Sequence, residues 1–186
     1  PALVRRKPGT VGPPLPGVEV RIADDGEIRV RGATMAAGYV GGEPLDLDGD
    51  GWLRTGDLGE VDGEGDLHVV GRRAERIVSG GVNVDPLEVE GALRDAPGVE
   101  DAAVVGLPDR EWGERVAAAV VARRPGTPAR DELDAYLRRR LSDPKRPRTL
   151  VFVDALPRNR TGKIDRKAVA VLIEDRGGER GVGAFP

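Results

Sequence analysis

The stretch Gly71-Arg72-Arg73-Ala74-Glu75-Arg76-Ile77-Val78-Ser79-Gly80-Gly81-Val82-Asn83-Val84-Asp85-Pro86-Leu87-Glu88-Val89-Glu90 separates two regions of different character. A strand ends at Gly71-Arg72 and basic residues cluster just after it. Ser79-Gly80-Gly81 follows, a loop whose glycines permit close backbone approach. Then Asp85-Pro86-Leu87-Glu88 supplies an acidic N-cap, a proline at the first helical position and a glutamate two residues further on. This signature predicts a helix from Pro86 to about Asp95. The Ser-Gly-Gly loop alone reads equally well as a ligand-holding loop or as a tight turn feeding the helix.

Upstream, Val18, Val20 and Ile22 alternate with polar residues, and Ile28 and Val30 return after Asp24-Asp25-Gly26, which predicts a hairpin over 18–31. Residues 32–56 are rich in Gly and Asp with little periodicity. Leu67, Val69 and the turn Asp62-Gly63-Glu64-Gly65 predict a second hairpin ending at Gly71-Arg72. Downstream, strands are expected over 99–107, 115–122 and 150–153. Helices are expected over 128–141, with Leu133, Tyr136, Leu137 and Leu141 on one face, and over 166–174. The order β-α-β-β-α-β-α gives a small sheet covered by helices, with a boundary to the β region near Arg72 to Glu75. The fold class is therefore α+β, and the glycine-rich run 177–183 is expected to be disordered.

Composition narrows the chemistry. In 186 residues there are only two Trp, two Tyr and two Phe, so the core must be aliphatic. The net charge of -3 arises from 32 acidic and 29 basic residues spread along the chain, which gives no field for nucleic acid or an anionic membrane. The absence of cysteine excludes disulfides, thiolate metal sites and cysteine nucleophiles, and a single histidine, His68, excludes a histidine-based zinc site. No metal ligands are assigned. Apolar runs such as 116–122 are too short to span a bilayer, and the start lacks the order of a signal peptide, so a cytoplasmic location is the default. A first residue of Pro1 rather than Met suggests a longer parent protein.

Three segments carry chemistry. Gly51-Trp52-Leu53-Arg54-Thr55-Gly56-Asp57-Leu58-Gly59 reads as a glycine-punctuated loop with one carboxylate. Asp57 is either a solvated turn residue or an acceptor whose two oxygens suit a vicinal diol. The second segment is 71–90, already described. The third, Pro157-Arg158-Asn159-Arg160-Thr161-Gly162-Lys163-Ile164-Asp165-Arg166, places a lysine after a glycine on a basic loop.

In their order and spacing these segments, together with Pro8-Gly9-Thr10-Val11-Gly12, Gly26-Glu27-Ile28-Arg29-Val30-Arg31-Gly32 and Gly38-Tyr39, resemble the adenylate-forming (AMP-binding) superfamily. That superfamily includes acyl-CoA synthetases, luciferases and peptide-synthetase adenylation domains. Val69-Val70-Gly71-Arg72-Arg73, Val78-Ser79-Gly80-Gly81 and Asp109-Arg110-Glu111-Trp112-Gly113-Glu114-Arg115 are most similar to the acyl- and aryl-CoA synthetase branch, o-succinylbenzoate–CoA ligases in particular. The resemblance implies that residues 1–72 end a large nucleotide-binding domain, that 73–175 form a mobile lid, and that 176–186 are a flexible tail. It implies that Asp57 and Arg72 bind nucleotide and that Lys163 is catalytic, bridging the substrate carboxylate and the α-phosphate. Ser79, Gly80 and Gly81 would line the path of coenzyme A, and Lys145 and Arg146 belong to a basic cluster facing either the CoA phosphate or solvent. The hinge would be Arg73, Ala74 and Glu75, with Ala74 where the family has Asp or Lys. The implied cofactors are ATP, Mg2+ and coenzyme A. The implied partners are a carboxylic acid and the enzyme's upstream amino-terminal region, without nucleic acid or membrane insertion, and a homodimer is left open. An adenylation domain loading a carrier protein and a non-catalytic stand-alone lid are the alternatives.

Overall fold

The computed structural model describes residues 7, 9–123 and 130–179. The chain divides into two compact units, Pro1–Ala74 and Glu75–Pro186.

In the first unit, β1 (Val18–Ile22), β2 (Glu27–Gly32), β3 (Leu53–Val61) and β4 (Leu67–Arg72) form an antiparallel sheet in that order. Both expected hairpins are present, β1 to β2 in the register Val18↔Gly32 through Ile22↔Ile28, and β3 to β4 around the turn at residues 62–66. The segment read as a loop over 51–59 is instead mostly strand. Its glycines mark irregularities within a ladder: Gly56 has a φ of 71°, and the register shifts between Leu58 and Gly59. Buried Ile28 and Leu58 fasten β2 to β3.

Asp48 organises the approach to β3. One carboxylate oxygen accepts the backbone N–H groups of Trp52 and Asp50 at 2.9 and 3.0 Å, and the other accepts the Arg21 and Arg29 guanidinium groups at 2.5 and 2.8 Å. The guanidinium groups of Arg21 and Arg31 lie over the Trp52 ring, 4.4 and 4.5 Å from its centroid.

The second unit is built on one long antiparallel pair, β7 (Val99–Asp109) and β8 (Gly113–Ala122). On the far edge of β8, β9 (Thr149–Val153) pairs in parallel, and the hairpin β5 (Ile77–Ser79) and β6 (Val82–Val84) joins through Ser79↔Gly113. The sheet is therefore mixed, and α1 (Pro86–Arg94), α2 (Arg130–Arg138) and α3 (Arg166–Glu179) cover it.

Alternation along β7 and β8 divides the core into two layers. Ala102, Val104, Val116, Ala118 and Val120 meet Val89 and Leu93 of α1 and Leu133 and Leu137 of α2. Ala103, Val105, Leu107, Ala117 and Ala119 meet Val169 and Ile173 of α3. Both layers are aliphatic, with Tyr136 and Phe152 only at the margin.

Asp85 caps α1, its side chain accepting the Leu87 N–H at 3.2 Å. Pro128 and Ala129, placed in the second helix by sequence, lie outside the described residues. The last helix runs beyond the expected end at Glu174 and continues through Gly177 and Gly178 to Glu179, so those residues are helical rather than disordered. Arg176 donates to the Phe152 carbonyl at 2.8 Å, which holds the late turns to the sheet and lets helix propagation outlast the glycines. The expectation of disorder for 180–183 lies outside the described residues.

Of the two readings of Ser79-Gly80-Gly81 the tight turn is realised, and it closes the β5–β6 hairpin before the chain enters α1. Gly80 and Gly81 have φ values of 58° and 79°, the two positive values that a two-residue hairpin turn demands. A Cβ on Gly80 would lie 2.6 Å from the Trp112 ring, whereas one on Gly81 would meet nothing within 4 Å.

This packing makes two predictions. Gly80→Ala adds steric overlap to backbone strain and lowers the thermal midpoint of the second unit more than Gly81→Ala, which incurs only the strain of roughly 1–2 kcal/mol; equal midpoints would show that Trp112 yields freely. The Trp52 N–H, aided by the Asp50 N–H and by Arg29 and Arg21, holds the Asp48 carboxyl at about 2 against an ordinary 3.8. Its stabilisation is thus complete above about 3.8 and disappears as pH falls through about 2. An acid titration of unfolding should show this loss in the native protein and not in Asp48→Asn.

Candidate functional site

Asp57 and Arg72 face each other as register partners on β3 and β4, and Arg72 Nε donates to Asp57 Oδ1 at 2.9 Å. Thr55 positions this part of the strand: its hydroxyl donates to the Ile28 carbonyl at 2.6 Å and accepts the Asp57 N–H at 3.1 Å. Arg72 is exposed and Asp57 partly so. The pair offers carboxylate oxygens that can accept from hydroxyl groups beside guanidinium N–H groups that can donate to oxygen.

A single 3-10 turn spans Arg73–Glu75. Arg73 is tied to residues of the first unit, its Nη2 lying 2.6 Å from Asp25 and 3.7 Å from buried Glu27. The Arg73 hydrogen bond, with the Glu27 N–H, draws the Asp25 carboxyl below its ordinary range. Glu75 is tied to the second unit, accepting from Arg166 Nε at 2.7 Å. Ala74, between them, is exposed and has no polar side chain to anchor it.

Ser79 is fully buried on β5, and its hydroxyl has no hydrogen-bond partner among the described residues. Gly80 donates its N–H to the Trp112 carbonyl at 2.9 Å and packs under the Trp112 ring. The cation on that ring is Arg148, whose guanidinium carbon is 3.8 Å from the centroid. Lys145 and Arg146 are committed elsewhere. Both carboxylate oxygens of Glu88 accept from Lys145 Nζ at 2.7 Å, and Arg146 pairs with Asp143. Arg148 shares Asp143 with Arg146, its Nη2 3.2 Å from the other carboxylate oxygen, while its guanidinium also stacks on Trp112.

The loop from Pro157 to Asp165 is folded around one carboxamide. Asn159 Oδ1 accepts the Thr161 N–H at 3.0 Å, the Thr161 hydroxyl at 2.7 Å and the Lys163 N–H at 3.0 Å. The Asn159 N–H donates to the Lys163 carbonyl at 2.8 Å, and an isolated bridge joins Arg158 to Ile164. Gly162, with a φ of 80°, makes the reversal that a side chain would strain. Ile164 roots the loop in the layer beneath α3. Lys163 itself is exposed, and among the described residues no carboxylate pairs with its ammonium. The chain has four lysines; among the described residues, Lys7 and Lys145 are paired with carboxylates and Lys163 and Lys167 are not.

The acidic group closest to metal-ligand spacing among the described residues is Asp62, Glu64 and Asp66, on the turn between β3 and β4. It is a poor fit for a resident ion. Asp62 is held far below its ordinary range by Lys7 and by His68, and it also accepts the Asp66 and Glu64 N–H groups. No helix among the described residues is long and apolar enough to cross a membrane.

Residues 88–163 match the family described as the AMP-binding enzyme C-terminal domain. The 3-[(3aS,4S,7aS)-7a-methyl-1,5-dioxo-octahydro-1H-inden-4-yl]propanoyl:CoA ligase of Rhodococcus jostii is 45% identical over 170 residues, covering 90% of this chain and 32% of the relative. The 2-succinylbenzoate–CoA ligase of Listeria monocytogenes is 40% identical over 162 residues, covering 86% of this chain and 34% of the relative. Among solved structures, ATP-bound MatB from Rhodopseudomonas palustris superposes with a TM-score of 0.83 at 34% identity, covering 91% of this chain and 36% of that one. The chain thus spans about a third of the length of the relatives it matches. Residues 88–163 thus match the AMP-binding enzyme C-terminal domain, and over most of its length the chain is similar to the carboxy-terminal part of CoA ligases.

Proposed function

We propose that this chain supplies the nucleotide-facing pair and the lysine-bearing lid of an ATP-dependent acid–CoA ligase, acting together with an amino-terminal region that carries the rest of the nucleotide site and the acid pocket. In the first half-reaction a carboxylate oxygen attacks the α-phosphorus of Mg-ATP, forming acyl-adenylate and releasing pyrophosphate. In the second, the thiol of coenzyme A attacks the acyl carbon and AMP leaves. Mg2+ would enter with the ATP phosphates rather than through an acidic site on this chain.

The observation that carries this reading is the construction of the lysine loop. Three hydrogen bonds converge on Asn159 to hold a loop that presents one exposed ammonium without a carboxylate partner, Lys163. In water that charge has little leverage; enclosed beside the reacting carboxylate and phosphate, it offsets the negative charge that develops there. The exposed Asp57–Arg72 pair suits the ribose hydroxyls, whose recognition would exploit the same carboxylate that now accepts from Arg72. Ser79, Gly80 and Gly81 form a turn with little side-chain bulk, suited to lying alongside a narrow pantetheine chain. Lys145 would have to exchange Glu88, and Arg146 and Arg148 their shared Asp143, for a CoA phosphate, and Arg148 is the one already stacked on Trp112. Rotation about Ala74, between the anchored side chains of Arg73 and Glu75, would exchange the lysine loop for the hairpin between the two half-reactions.

In the complete enzyme, Lys163→Ala is expected to reduce pyrophosphate release on acid-dependent adenylation by roughly 100-fold or more. Thioester formation from supplied acyl-adenylate should be retained. Undiminished adenylation would refute the assignment. Comparing CoA with a phosphopantetheinylated carrier protein as acceptor in the same assay separates the ligase from a carrier-loading domain.

A further inference from the structure

The lysine loop is pinned at both ends by arginines that share one ion-pair network. At its start, Arg158 donates from Nη1 to the Gly162 carbonyl at 2.9 Å and from Nη2 to Asp101 Oδ2 at 3.0 Å. At its end, Arg166 donates from Nη1 to Glu90 Oε1 at 2.5 Å and to the Val104 carbonyl at 2.8 Å, and from Nε to Glu75 at 2.7 Å. Arg94 joins the two halves, its Nη1 lying 3.7 Å from Glu90 and 3.9 Å from Asp101. The sequence of charges Arg158, Asp101, Arg94, Glu90, Arg166, Glu75 therefore runs from the loop, over β7 and α1, to the first residue of the second unit.

We propose that Arg158 and Arg166 are positioning residues for Lys163: they fix the two stems of its loop, and hence the direction in which the ammonium is presented, relative to the point where the chain enters the second unit. The proposal deepens the reading of Lys163 as the adenylation cation and rests on it. Neither arginine need touch substrate. Arg158 grips the carbonyl of Gly162, the peptide immediately before Lys163, so its loss frees the one peptide plane that aims the lysine stem. Arg166 holds the residue at which α3 begins, with two of its partners, Glu90 and Val104, fully buried. Guanidinium suits both places because its fork binds a carbonyl and a carboxylate at once, which an ammonium cannot do with the same rigidity. A lysine side chain has four rotatable bonds, and the electrostatic stabilisation it offers depends on reaching a position defined to about an ångström.

The test uses the complete enzyme and follows its two half-reactions separately, acyl-adenylate formation from acid and ATP, and thioester formation from supplied acyl-adenylate. Arg158→Gln changes an exposed side chain and should leave thermal stability intact. The expected result is a fall of about 10-fold in the maximal adenylation rate, with KM for ATP and acid within about 2-fold and the thioester step unchanged. Arg158→Lys should recover part of the loss. Arg166→Lys, which retains a charge for Glu90 but not the fork, is the second variant and should show the same selectivity for the first step. Full-rate adenylation by folded Arg158→Gln, or equal losses in both steps, overturns the positioning proposal. A full rate in Lys163→Ala would instead overturn the underlying reading, so the two failures are distinguishable.

Discussion

A carboxylate sits where water cannot reach it. Glu90 is 1% exposed, on the inner face of α1, where Arg166 and the Val104 N–H meet one of its oxygens and Arg94 lies 3.7 Å from the other. Removing one partner of such a pair leaves the other buried and uncompensated, typically at a cost of about 3–5 kcal/mol. That constraint links three segments far apart in sequence: the helix started by Asp85 and Pro86, the centre of β7, and the first residue of α3. Because α3 begins where the lysine loop ends, the buried pair also fixes one end of the loop. The aliphatic layers on either side of β7 and β8 supply the bulk of the stability, but they are nondirectional. The ion pair adds register.

Two groups of paired cations in the second unit contrast with Lys163. Arg94, Arg158 and Arg166 neutralise carboxylates inside the unit, and Lys145, Arg146 and Arg148 pair on its surface with Glu88 and Asp143. Lys163 has a different environment, a structured loop with its ammonium in solvent. A charge held in water stabilises little, because water already screens it. Its chemical value therefore depends on what encloses it, and in the proposed ligase that enclosure would come from the amino-terminal region.

Local signals in the sequence located most elements. Asp85-Pro86-Leu87-Glu88 marked the start of α1 because a cap acts over three residues, and the alternating Val and Ile of 18–31 marked a hairpin for the same reason. Errors arose where glycine has two meanings. In 51–59 it suggested a loop, although Gly56 and Gly59 accommodate irregular pairing within β3. In Ile77-Val78-Ser79-Gly80-Gly81-Val82-Asn83-Val84 two short β-branched runs around Gly-Gly are the sign of a hairpin, whereas the glycines alone suit a loop or a tight turn before α1 equally. Of the candidate site, sequence named Asp57, Arg72 and Lys163, and the fold places Asp57 opposite Arg72. The partners of Arg166 were out of reach: Glu90 and Glu75 stand 76 and 91 residues away, and nothing local in Ile164-Asp165-Arg166 announces them.

The central claim is that the network acts on catalysis through Lys163 and not around it. A double-mutant cycle on the adenylation rate of the complete enzyme addresses this most directly, combining Arg158→Gln with Lys163→Ala. If the arginine serves only to aim the ammonium, its substitution has no further effect once the ammonium is gone, and the double variant matches Lys163→Ala alone. Independent, multiplicative losses would contradict the account and place Arg158 in some other part of the reaction.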